Sequence, residues 1–224
     1  MVEHKAIAEA LASVRARMAA AAVAAGREPG EVTLVAVSKT HPAAAVAAAI
    51  AAGQMVFGEN RIQEAGSKFP ALLAVHRAAR LHLIGGLQTN KVKEAVRFAH
   101  VIETLDRHKL ADAIDAACQG FGECPELLVQ VNIGDEPQKS GVGTVAADGF
   151  IREMRARFGE KLRGLMCIPP AEGDPAPYFR RLVDMADAHG LAVRSMGMTA
   201  DFEVAIALGA THVRVGSGVF GVRG

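Results

Sequence analysis

What this chain lacks narrows what it can be. Charge of one sign is missing: 25 Lys and Arg stand against 24 Asp and Glu, a formal net charge of +1. That balance removes the electrostatic case for nucleic-acid or anionic-membrane binding, so any phosphate site must be local. Cysteine is scarce. Cys118, Cys124 and Cys167 have no metal-ligand spacing and leave one over in any disulfide scheme, so reduced thiols in a cytoplasmic compartment are expected, with no metal site. No window approaches the roughly 18 uninterrupted apolar residues of a membrane span. The N-terminal stretch carries Glu3, His4 and Lys5 before a helical pattern, without the apolar segment or cleavage site of a signal peptide. Linkers and low-complexity segments are also lacking, so residues 1–224 are expected to form a single domain.

Apolar content is plentiful: half of the 224 residues are hydrophobic, enough for a substantial buried core. Ile7, Leu11, Val14 and Met18 recur at helical spacing and predict an amphipathic helix ahead of the first strand. Strands are then expected near 32–38, 55–58, 81–84, 101–102, 125–133, 162–168, 191–196 and 211–215, with helices between them. Such alternation predicts a parallel sheet, and the count predicts closure into a (β/α)8 TIM-like barrel with an extra N-terminal helix. A doubly wound open sheet is the alternative. The last barrel helix is missing or very short, and the N-terminal helix is placed to cover the gap.

The stretch Val32–Pro42 concentrates the chemistry. A β-branched apolar run ends on Ser38 and Lys39, and Pro42 opens the next helix. Lys39 therefore sits at the carboxyl end of a strand, where barrels keep their active groups. It reads either as a solvated cation or as an amine able to form an imine with an aldehyde. Polar and glycine-rich loops recur after the later strands. Taken singly, each has a plain reading: Asn60 as a helix N-cap, Gly85–Gly86 as a turn, His82 as a core histidine, Asp135 and Lys139 as solvated charges. Two loops are harder to dismiss. Ser195 to Thr199 and Gly216 to Gly218 follow the last two strands, where barrels build a phosphate site. Arg214 shares a strand face with Gly216. An aldehyde that also carries a phosphate suits both features, and pyridoxal phosphate is such a molecule.

The motifs Val37–Thr40, Phe57–Asn60 with Gln63–Glu64, His82–Gly85 with Leu87–Lys91, Asn132–Gly141, Gly164–Met166, Ser195–Met198 with Asp201–Phe202, and Val213–Gly216 with Phe220–Gly221 occur in this order. With them the chain resembles the YggS/PROSC family of pyridoxal-phosphate homeostasis proteins, from about residue 5 to the C-terminus. Their fold is similar to the barrel domain of alanine racemase. The resemblance implies pyridoxal 5'-phosphate as cofactor, held as an aldimine on Lys39. It also implies that Asn60 contacts the cofactor, that Ser195, Gly197, Gly216 and Ser217 hold its phosphate, and that Arg214 faces the pyridine nitrogen. A guanidinium there disfavours ring protonation and makes a poor electron sink. Two positions depart from the family pattern: Arg61, often tyrosine, and Gly86, often proline.

The expected function is a cofactor carrier that delivers pyridoxal 5'-phosphate to apo-enzymes, without a catalytic residue of its own. An amino-acid racemase is the second reading. It needs an acid/base group on each face of the bound substrate, and in the racemase comparison the opposing tyrosine comes from another domain. The only tyrosine here, Tyr178, lies in a proline-rich stretch after the sixth strand. An aldolase-type barrel fits the lysine but not the motif series. A monomer is expected, without nucleic-acid or membrane partners.

Overall fold

The computed structural model describes residues 2–221. Helix α1 (Val2–Ala24) comes first and buries Ile7, Leu11, Val14, Met18 and Ala22 along one stripe. Strands and helices then alternate: β1 (Thr33–Val37), α2 (Ala43–Ala51), β2 (Val56–Glu59), α3 (Ile62–Val75), β3 (Arg80–Leu83), α4 (Val92–Phe98), β4 (Val101–Leu105), α5 (His108–Phe121) and β5 (Glu126–Asn132). A two-residue strand, β6 (Val142–Gly143), pairs beside β5. The chain continues through α6 (Thr144–Phe158), β7 (Leu162–Cys167), α7 (Ala176–Ala188), β8 (Val193–Met198), α8 (Phe202–Ala207), β9 (His212–Val215) and α9 (Ser217–Phe220).

All pairings are parallel, in the order β4-β3-β2-β1-β9-β8-β7-β5, and β4 pairs with β5 to close the ring. That last pairing decides for the TIM-like barrel over the open sheet. Side chains alternate across each strand and build two layers. Leu34, Ala36, Phe57, Leu81, Leu83 and Val129 belong to the large core shared with the helices. Val101, Leu128 and Met166 form a separate small cluster within the ring. The last helix, α9, has four residues, as expected for a short terminal element. Helix α1 packs on α2, α8 and α9, across the seam that α9 is too short to cover.

Four expectations are corrected. Strand β4 runs to Leu105, past the Val101–Ile102 expected, because Glu103 and Thr104 are polar yet buried inside the protein. Asn60 is not a helix N-cap: β2 extends through Glu59, and Arg61 takes the cap position without a side-chain bond. Pro42 occupies the cap position before α2 rather than the first helical one. Cys118 and Cys124 are joined in a disulfide with Cα atoms 4.8 Å apart, so three reduced thiols are not what is found. Gly122, with φ of 72°, ends α5 in the left-handed conformation and reverses the chain between them. Cys167 alone is free, and it is buried.

Candidate functional site at the carboxyl mouth of the barrel

Four strands bring polar side chains into the barrel interior, where two-residue periodicity puts Glu103, Ser195 and Arg214 on the inner faces of β4, β8 and β9, beside His82 of β3. Glu103 accepts from Ser195 Oγ at 2.6 Å and meets His82 Nδ1 at 2.6 Å. Arg214 donates to Ser195 Oγ at 2.7 Å and to the Cys167 carbonyl at 2.8 Å, and lies 3.9 Å from Glu103. Arg214 is 4% exposed and Glu103 0%, so the charges compensate one another out of water. Burial pushes the Glu103 carboxyl up; the hydrogen bonds and charges of His82, Arg214 and Ser195 outweigh it and hold the group at about 2. His212 lies below, its ring 5.8 Å from that of His82; burial drives its imidazole down to about 4, so it is neutral at pH 7.

Above this floor the strand ends approach one another. Val35 of β1 stands in register with Arg214, so Gly216 follows Arg214 toward the same mouth that Lys39 follows Val37 to. A Cβ on Gly216 would lie 3.4 Å from the Val37 carbonyl, which measures how closely the β9 turn passes the end of β1. Ser217 begins α9, and its hydroxyl is 3.5 Å from that of Thr199 in the loop after β8. Gly85 holds the next strand end in place. Its Cβ would fall 2.2 Å from the Asn60 carbonyl oxygen, so only glycine lets this loop rest on the Asn60 backbone.

The expected site residues divide into two groups. Lys39, Asn60, Gly216 and Ser217 gather at the mouth. Lys39 is exposed and, among the described residues, its amine has no hydrogen-bond or ion-pair partner. The Asn60 amide is likewise without a partner there. Arg214 and Ser195 lie in the floor instead. The Ser195 hydroxyl, expected on the phosphate, already donates to Glu103 and accepts from Arg214 and is 0% exposed. Gly197, expected to let the backbone approach a ligand, has φ of 89°, and its Cβ would lie 2.6 Å from that of Ala205. Its role in the fold is to admit α8. Thr199, the last residue of the loop expected to build the phosphate site, carries the hydroxyl that meets Ser217; Asp201 is the cap residue of α8. Glu103 was missed entirely, since nothing in an apolar run flags an acid whose partners come from three other strands.

The polar loop after β5 is structural in detail. Asn132 donates to the carbonyl of Glu136, Asp135 binds the N–H and hydroxyl of Thr144, and Lys139 reaches Glu136 and the Pro169 carbonyl at 3.1 Å. Asp135 and Lys139 are therefore tied into the loop and are not free solvated charges.

The donor set at the mouth fits an aldehyde-bearing phosphate ester: an unpaired amine, a hydroxyl pair beside a glycine turn, and a buried cation beneath. The family described as "Alanine racemase, N-terminal domain" matches residues 10–224. The chain is 41% identical to the Pyridoxal phosphate homeostasis protein of Escherichia coli (strain K12), covering 97% of both proteins. Among solved structures it is similar to PipY of Synechococcus elongatus PCC7942 with PLP bound, at 34% identity and a TM-score of 0.81, covering 96% of this chain and 100% of that one. The alanine racemase of Streptomyces coelicolor A3(2) shares the fold, with 23% identity and a TM-score of 0.70 over 95% of this chain and 59% of the racemase.

Proposed function

The chain belongs to the alanine racemase N-terminal domain family, and from that membership we propose that it is a pyridoxal 5'-phosphate homeostasis protein, a carrier that holds the cofactor on Lys39 and passes it to apo-enzymes. The observation that carries this reading is the Lys39 amine, partnerless among the described residues, at a mouth it shares with the Thr199 and Ser217 hydroxyls. The relatives named for pyridoxal phosphate homeostasis, and PipY with its bound PLP, support it.

When bound, the cofactor supplies an aldehyde for reversible attachment and a phosphate for anchoring. Lys39 Nζ would be the group that holds the aldehyde, and its lack of a partner among the described residues would leave its electron pair available for that attachment. Ser217, Thr199 and the backbone at Gly216 would hold the phosphate, and the Asn60 amide would contact the cofactor. Arg214, fixed in the floor by Ser195 and the Cys167 carbonyl, would face the pyridine nitrogen and as a cation would disfavour its protonation. Ser195 acts through Arg214, and Gly197 shapes the loop that presents Thr199.

A racemase reading is less well supported. Tyr178, the one tyrosine of the sequence, sits on α7 and packs against the core shared by helices and strands, which favours a packing role over that of a second acid/base. The carrier proposed is cytoplasmic and monomeric. Among the described residues no helix is long and apolar enough to cross a membrane.

Borohydride treatment of the cofactor-loaded protein followed by peptide mapping tests the assignment. Label on the Lys39 peptide, and a Lys39→Ala variant without the chromophore, are expected; an unchanged spectrum in that variant refutes it. Incubation with single amino acids, followed by chiral analysis, separates carrier from enzyme. Racemisation at ordinary enzyme rates decides against the carrier.

A further inference from the structure

Beneath the Lys39 turn lies a buried charged cluster with no part in the function above. Glu59, at the end of β2, is fully buried, and Lys68 on α3 is 7% exposed. Lys68 Nζ lies 2.6 Å from Glu59 Oε1 and 2.8 Å from Glu64 Oε1. It also donates to the carbonyls of Ser38 and His41, each at 3.0 Å. Those two carbonyls flank Lys39 and Thr40. Glu64 accepts the Thr40 N–H, and the Ser38 hydroxyl donates to Glu59 at 2.7 Å. Ser38, Thr40 and His41 are thus each bonded to a charged group of β2 or α3, while the Lys39 side chain between them is left out.

The backbone needs such a hold. Thr40 has φ of 69°, a left-handed conformation that a β-branched residue rarely adopts and keeps only where its surroundings impose it. A buried Lys–Glu pair is a poor device for stability, because desolvation consumes much of its attraction. Burial accordingly pushes the Glu59 carboxyl up despite Lys68 and Ser38. What this cluster does supply is geometry: one ammonium holding two carbonyls of a single turn while occupying the two acids bonded to that turn.

We propose that Lys68, together with Glu59 and Glu64, is a positioning device that clamps the Ser38–His41 turn, presents the Lys39 amine at the barrel mouth and keeps the acids from capturing it. This rests on the reading of Lys39 as the aldehyde-binding amine.

The test titrates full-length protein with pyridoxal 5'-phosphate, measuring Kd, the rate of borohydride-trappable attachment to Lys39, and thermal unfolding without the cofactor. Lys68→Met alone leaves Glu59 unpaired, so the informative variant is Glu59→Gln with Lys68→Met, which removes both charges. Glu64→Ala is the milder variant: it frees the Thr40 N–H, leaves the Glu59–Lys68 pair intact and removes a side chain 25% exposed. Both are expected to raise Kd roughly tenfold, the weight of about one charge-assisted hydrogen bond, and to slow attachment. Glu64→Gln, which keeps an acceptor for Thr40, is expected to recover most of the loss at equal thermal stability. A wild-type Kd and attachment rate in folded Glu64→Ala overturns the proposal even if the double variant does not fold. Wild-type protein that never traps cofactor on Lys39 refutes the reading of Lys39 itself and takes the clamp with it.

Discussion

At the scale of single residues, Glu103 decides the most. Its carboxyl is held at about 2 against an ordinary 4.5, so the stabilisation it contributes is complete above about 4.5 and is lost as the pH falls toward about 2. Glu59 has the opposite sign: its raised carboxyl favours the fold at low pH and loses that contribution as pH rises. Glu103→Gln leaves Arg214 without its buried counter-charge and His82 Nδ1 without its carboxylate partner, and is expected to cost about 3 kcal/mol at pH 7. Urea unfolding at stepped pH should show the gap to wild type narrowing as pH drops from about 5 to about 2; a constant gap would mean that the charge of Glu103 is not the source. Cys167 offers a second check. Burial pushes its thiol up to about 12, so it should resist alkylation in the native protein. Denatured without reductant, the chain should yield one titratable thiol, and three would contradict the Cys118–Cys124 bond.

Individual elements are joined at points where backbone meets backbone. Gly85 closes β3 against Asn60 with no room for a methyl group, and the obstructing atom is a main-chain oxygen that cannot rotate away. Gly85→Ala should therefore cost about 1–3 kcal/mol by overpacking and also weaken cofactor retention, since the displaced loop moves Asn60. Thermal unfolding together with a cofactor titration reads both. Stability lost with retention unchanged would separate Asn60 from the site. The same substitution at Gly86, where no atom lies within 4 Å, serves as the control and should change neither.

For the whole molecule, α1 is the element on which closure of the outer layer depends. It buries five apolar side chains, Ile7, Leu11, Val14, Met18 and Ala22. Arg15 reaches the carbonyls of Ala52 and Gly53 at the end of α2, and Arg17 pairs with Glu203 on α8. At about 1.5–3 kcal/mol for each large side chain, the burial approaches the 5–15 kcal/mol by which a domain is stable. Removal of the first 24 residues should therefore abolish cooperative unfolding, monitored by circular dichroism during a thermal scan. A sharp transition in the truncated chain would show that α9 suffices to close the seam.

The sequence alone determined the alternation of strand and helix, the apolar stripe of α1, the strand-end placement of Lys39 and the loops around the mouth, because these follow from local periodicity and turn chemistry. Tertiary structure decided what depends on which strands become neighbours. Closure through β4 and β5, the pairing of Glu103 with residues on three other strands, the withdrawal of the Ser195 hydroxyl into the floor, the meeting of Thr199 with Ser217 and the Lys68 clamp join positions far apart along the chain, 92 residues in the case of Glu103 and Ser195. A hydrogen bond between such positions leaves no periodic trace in either stretch. It exists only once the ring has closed and excluded the water that would otherwise compete for it.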